Sequence, residues 1–194
     1  MQFNYILLPE IFYKINEVNM KKLLIIFLLT FSSLSYGDGV NEWQDIEMNI
    51  NKLKALNTCN SCVLWNTNFQ NANLANASLS GVDFITANLS GATLYNANLE
   101  GSSLFGANLK GANLENANLF GANLFAVNLY GANLYGANLT AADMSLANLS
   151  GVNFSSANLT NANLRGADLS GAIIEGAYLC NTMMPWGLDS SSCQ

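Results

Sequence analysis

Histidine is missing altogether from the 194 residues, which removes the commonest general base and the commonest metal ligand together. Charge is sparse: Asp, Glu, Lys and Arg make up 10% of the chain, where about a quarter is usual. Thirteen acids stand against seven bases, a net charge of −6. The basic surface of a general nucleic-acid binder is therefore excluded. The acids are also too scattered to imitate a nucleic acid. Residues 63–184 hold Asp83, Glu100, Glu115, Asp143, Asp168 and Glu175 against Lys110 and Arg165, whereas duplex DNA carries about one charge per 1.7 Å. No nucleophile stands beside a base and no carboxylate pair recurs on one face, so an enzyme of the cell envelope has no visible site. A calcium site needs Asp at close spacing, and that stretch has Asp only at 83, 143 and 168. The expectation is a non-enzymatic protein with no cofactor and no metal.

The longest apolar run is short as well. Met20-Lys21-Lys22 leads into LLIIFLLTF and then SSLSYG, the order of a secretory signal peptide. A comfortable membrane span needs about 20 apolar residues, so no stable span is expected once the signal is removed. Cleavage is placed after Gly37, with Ser35 as the other candidate. No Cys follows the run, which argues against a lipid anchor. Residues 1–19 carry Glu10, Lys14 and Glu17, which break any apolar span ahead of the signal. Either Met20 is the true start, or the signal is unusually long or an uncleaved anchor. The expected destination is the periplasm, the extracellular space or an equivalent lumen.

What fills the rest is a five-residue phrase. Leu, or Phe69, Phe84, Met144, Phe154 or Ile174 in its place, recurs every five residues from 69 to 179, giving 23 consecutive pentads. Two residues before it stands Ala, replaced only by Thr67, Val82, Ser102, Val127 and Val152. One residue before it is usually Asn or Asp. So fixed a period takes precedence over propensity. Five matches neither a helix nor a long strand; it matches a short bridge followed by a turn. The Leu and the Ala two before it lie on one face of an extended segment, and both point inward. The next two residues, often ending in Gly or Asn, carry turn chemistry. Four such segments close a square coil of 20 residues, and successive coils stack at about 4.8 Å. A disordered low-complexity tract would not keep one position in five apolar. Leucine-rich repeats have a longer period.

The run ANLxGANLxN resembles the pentapeptide-repeat family, whose pattern is A-[DN]-L-x-x. The resemblance covers about residues 65–181 and implies an all-β solenoid, a right-handed quadrilateral β-helix. Its 23 pentads imply about six coils and a rod of roughly 28 Å. Some cytoplasmic relatives resemble DNA in shape and charge and protect DNA gyrase from quinolones. This chain departs from them in its signal peptide, its weak charge and its lack of loops inserted into the array.

A solenoid's ends need covering. Trp43, Ile46, Ile50, Leu53 and Leu56 fall on one stripe of a helix over 41–57, expected to cap the first coil; the alternative is a partner-binding helix. At the other end Trp186, after Pro185, is the expected lid. The organisation is then 1–37 extension and signal, 38–62 capping helix and CxxC lead-in, 63–184 β-helix, and 185–194 tail.

The four cysteines are Cys59, Cys62, Cys180 and Cys193. In an exported chain an even count suggests disulfides, and four Cys allow three pairings. In the implied rod Cys62 and Cys180 stand about 28 Å apart, beyond the roughly 7 Å a disulfide tolerates. The expected pairs are Cys59–Cys62 and Cys180–Cys193. A redox dithiol at Cys59-Asn-Ser-Cys62 would need a thioredoxin-like context, which is not seen. A zinc site would need all four thiolates together.

The residue after each Leu points outward, and there aromatics gather. One edge reads Trp65, Ile85, Phe105, Phe125, and one coil carries Phe120, Phe125, Tyr130 and Tyr135. Stacking within the protein explains Phe105 on Phe125 and Tyr130 beside Lys110. It does not explain Phe120, whose coil neighbours are Glu100 and Thr140. A contiguous exposed apolar stripe marks an interaction site. The candidate surface is Ile85, Phe105, Phe120, Phe125, Tyr130 and Tyr135, and the expected partner is a protein or a second copy, with no nucleic acid.

Overall fold

A computed structural model describes residues 42–193, with side chains from Asp45 onward. The chain divides into two units, Met1–Asn41 and Glu42–Gln194, and the described residues belong to the second. The signal segment 20–37, its cleavage sites and the Trp43 side chain lie outside the described residues.

The period seen in the sequence is a backbone period. Parallel bridges join residues twenty apart from Thr58↔Ser78 to Asn163↔Met183, so one turn of the coil takes four pentads. Each bridge sits at the Asn position. Asn118 N–H donates to the Ala97 carbonyl one coil below, and the Asn118 carbonyl accepts from Leu99 N–H, at 2.9 and 2.7 Å. Regular strands do not extend beyond the bridge because the chain turns at once.

The turn explains the Gly and Asn of the phrase. Ala122 N–H donates back to the Leu119 carbonyl at 3.0 Å, and Gly121 between them has φ 62°. A four-residue turn with a left-handed third residue is the type II pattern, which favours Gly or Asn there. The column tolerates exceptions: Thr86, Ala126, Ala141, Leu146 and Ser156 adopt the same φ, at a cost of about 1–2 kcal/mol each.

Leu and Ala form the core. Leu89 to Leu139 at intervals of five are buried, as are nearly all the Ala two residues before them. Phe84 and Phe154 replace Leu without reaching solvent, and Phe84 meets Phe69 edge to face at 5.6 Å between centroids. At the last coil Leu169 and Ile174 are only half-buried.

The coil begins earlier than the expected residue 63. Thr58 already bridges Ser78, and Cys59 is fully buried in the column that Leu64 and Phe69 continue. Cys59 thus takes a Leu slot and Cys62 an Ala slot, and the CxxC is the first pentad's own turn. Cys59 pairs with Cys62 and Cys180 with Cys193, at Cα separations of 5.3 and 4.6 Å.

Ahead of the coil runs α1 (Glu42–Leu56). Leu53 joins the core, Ile46 is buried and Ile50 packs against the core. Leu56 departs from the expected stripe and is 66% exposed. It sits about 80° round the helix from Ile46, in the last turn, after which the backbone leaves the helix. Asn57 ends α1 with φ 51° and an N–H bond to the Leu53 carbonyl at 2.9 Å, an αL cap. Its side chain donates to the Ala75 carbonyl at 2.8 Å, joining helix end to coil.

Trp186 is no lid. β1 (Thr182–Met184) and β2 (Gly187–Asp189) pair antiparallel with Met184 opposite Gly187. Pro185 and Trp186 form the two-residue tip, which projects the indole outward, 69% exposed. Met184 instead fills the inward slot and is buried. Among the described residues no helix is long and apolar enough to cross a membrane.

Candidate functional site

The outward positions owe their geometry to the Asn before each Leu. Asn118 Oδ1 accepts the N–H of Phe120 at 3.2 Å, and Asn123, Asn128 and Asn133 hold Phe125, Tyr130 and Tyr135 in the same way. Ile85 is held by Asp83 at 2.9 Å. The amides also bond to one another along the rod: Asn108 to Asn88, Asn128 to Asn108, and Asn153 to Asn133, at 3.2–3.3 Å. These amides are therefore committed to holding corners and joining coils.

With four pentads per turn, Phe120, Phe125, Tyr130 and Tyr135 stand at the four successive corners of one coil. No single plane contains them. Phe120 and Phe125 flank one wall, whose outward residue is Asn123. Phe105 lies one coil below Phe125 with centroids 5.5 Å apart and ring planes within 2°. Tyr130 and Tyr135 turn away on the remaining corners; Lys110 Nζ lies 5.3 Å from the Tyr130 centroid, within cation–π range. Phe120 has no aromatic partner among the described residues and is 45% exposed, while Ile85 and Phe125 are half-buried. Ile85, Phe105 and Phe125 thus share one corner column, twenty residues apart, and Phe120, Tyr130 and Tyr135 stand on one corner each.

Exposed apolar residues missed by the sequence reading lie toward the end of the rod. Ile173 and Tyr178 are 50% and 59% exposed. Both stand in the Asn column, where the phrase fails. That break was the signal that could have found them.

Electrostatics adds little. Hydrogen bonds hold the Asp168 carboxylate below its ordinary range: the Ser170 hydroxyl first, then the Ser170 N–H and the Ser150 hydroxyl. The Ser191 N–H and hydroxyl do the same for Asp189. Asp168 is exposed and Asp189 half-buried. Among the described residues no group of three acids or thiols is placed to hold a metal ion.

The family model for pentapeptide repeats matches over residues 58–91, 83–119, 117–155 and 147–182, with eight copies. Among solved structures, Rfr23, a pentapeptide repeat protein from the cyanobacterium Cyanothece 51142, is 30% identical. The alignment covers 66% of this chain and 98% of that one with a TM-score of 0.51. HetL, a pentapeptide repeat protein involved in heterocyst differentiation regulation in Nostoc sp. strain PCC 7120, is 33% identical over 67% of this chain and 73% of its own, with a TM-score of 0.37. A pentapeptide repeat protein of the Arabidopsis thaliana thylakoid lumen is 40% identical over 49% and 63%, with a TM-score of 0.29. No curated protein matches the chain.

Proposed function

The chain belongs to the pentapeptide-repeat family, whose members form right-handed quadrilateral β-helices and are generally non-enzymatic, and on that premise we propose that it is an exported scaffold that docks a protein on its aromatic corners. The reading takes the array as about six coils with α1 as the cap of the first. Export is supported by the signal-like segment 20–37 and by four cysteines that are all paired, as an oxidising compartment favours.

The observation that carries the docking reading is Phe120. The Phe105–Phe125 pair has an internal reason to exist, since each ring covers the other. Phe120 has none, yet it stands half-exposed at the other end of the same wall. Rings at both edges of a wall of small polar residues can anchor one partner surface, and aromatic anchors carry a disproportionate share of binding energy. A second copy of the chain is the occupant taken first, because a two-fold axis would set the same wall of each copy against the other. The gyrase-protecting reading draws no support from the array's charge.

A photo-crosslinking residue placed at position 120, with position 170 as control, tests the proposal in the intact compartment. An adduct of twice the chain's mass from 120 alone supports self-association, and one other discrete mass supports a partner. Equal yields from 120 and 170 would remove the docking wall.

A further inference from the structure

A groove opens on the wall between the corners of Gly136 and Thr140. Phe120 closes one end and Tyr178 the other; Asn138 and Asn158 floor it, with Ser156 and Thr160 on its rims. The bridges Asn118↔Asn138, Asn138↔Asn158 and Asn158↔Tyr178 put the coils of the two rings three strand spacings apart, about 14 Å. The groove encloses about 380 Å³ and no charged residue lines it.

Only its upper half has polar groups to spare. Asn138 donates to Asn118 Oδ1 at 3.0 Å, and its own Oδ1 takes the N–H and the hydroxyl of Thr140 at 3.2 and 2.7 Å. Above that point the amide chain stops. Asn158 Oδ1 accepts the Thr160 N–H, but its Nδ2 has no partner among the described residues, and neither do the hydroxyls of Ser156 and Thr160. Thr160, like Ser155, differs from Thr140, Ser145, Ser150 and Ser170, whose hydroxyls bond back to the preceding Asn or Asp.

We propose that this groove binds a neutral oligosaccharide. A sugar ring has an apolar C–H face that suits an aromatic ring and a rim of hydroxyls that both donate and accept. The groove offers that pair of surfaces in that order: ring, free amide and hydroxyls, ring. Other ligand classes fit less well. A charged ligand finds no counter-charge. An extended apolar chain would leave the Asn158 amide and the two hydroxyls dry and unpaired, which is costly. A peptide strand cannot add to this wall, because its bridge amides are already paired: Asn138 N–H with the Ala117 carbonyl and Asn158 N–H with the Ala137 carbonyl, both at 2.9 Å. The separation of the rings matches a short oligosaccharide rather than a single sugar. The site goes beyond the docking wall and shares only Phe120 with it.

The full chain titrated with cellotetraose and with the tetramer of N-acetylglucosamine, followed by calorimetry, tests the proposal. At least one should bind saturably. Tyr178→Ala and Asn158→Ala should each weaken that binding about tenfold, with the folded circular-dichroism spectrum retained at the titration temperature and Phe105→Ser without effect. Tyr178 and Asn158 lie outside the docking wall, so the outcome is separable from that reading. Failure of both tetrasaccharides to bind, or binding that Tyr178→Ala and Asn158→Ala leave intact, would overturn the inference.

Discussion

The Phe105 ring lies parallel to Phe125 one coil away, 5.5 Å between centroids and 2° between planes, while Phe120 on the adjacent corner faces no ring among the described residues. The two situations predict different energetics. Phe105→Ser and Phe125→Ser should couple by about 1 kcal/mol in a double-mutant cycle, the worth of an aromatic pair beyond its buried area. Phe120→Ser should leave the melting midpoint nearly unchanged, because an exposed side chain without partners stabilises little. Thermal melts of the four variants supply the comparison, and a Phe120→Ser cost equal to that of Phe125→Ser would contradict it.

The inward and outward frame is tested by adjacent residues. Leu119 is fully buried, so Leu119→Asp puts an unpaired charge in a dry interior and should unfold the array. Asn118→Asp loses the donated bonds to Asn98 and Glu100, at 3.1 and 3.3 Å, while its Oδ1 still accepts the N–H of Phe120. It should fold, at a cost of about 1–2 kcal/mol. Circular dichroism of both variants distinguishes these outcomes; equal loss of signal would refute the frame.

Ser102 occupies an Ala slot, is buried, and its hydroxyl has no hydrogen-bond partner among the described residues. Thr67 and Thr182 avoid that penalty in the same column by donating to the Leu64 and Leu159 carbonyls. Ser102→Ala should therefore raise stability by about 1 kcal/mol. A lower midpoint in denaturant would show that the hydroxyl has a partner after all.

The tail is held by one covalent tie. Cys180–Cys193 closes a loop across a separation of 13 residues, worth roughly 3 kcal/mol in the chain-entropy account. Nonreducing peptide mapping should recover that pair. Cys193→Ser should lower the melting midpoint, and recovery of a Cys62–Cys180 linkage would contradict the whole arrangement.

Most of the core was legible because a single column carries it: an apolar residue every five positions leaves one inward direction. The ends were not, because the phrase lapses there and other rules take over. Cys59 holds a Leu slot, yet its pentad has Asn57 where Ala is expected and the next has Cys62, so the phrase is not legible before residue 63. Leu56 satisfied helical spacing but fell in the last turn of α1. Trp186 stands where Pro185 breaks the repeat, the place expected for a lid, whereas the register Met184↔Gly187 makes it a hairpin tip. The aromatic positions were found as outward residues. That four of them occupy four different corners follows from the same period, and it puts Ile85, Phe105 and Phe125 in one column and leaves Phe120, Tyr130 and Tyr135 on a corner each.

The most direct test of the interaction reading is the assembly state of the variant Phe105→Ser, Phe120→Ser, Phe125→Ser, measured by light scattering and by thermal melt on one sample. The account predicts a folded rod, since Ser145, Ser150, Ser155 and Ser170 already occupy equivalent outward positions, that has lost self-association or partner capture. A variant that melts earlier while keeping the assembly and partners of the parent would contradict it, and would leave the rings as an internal ladder.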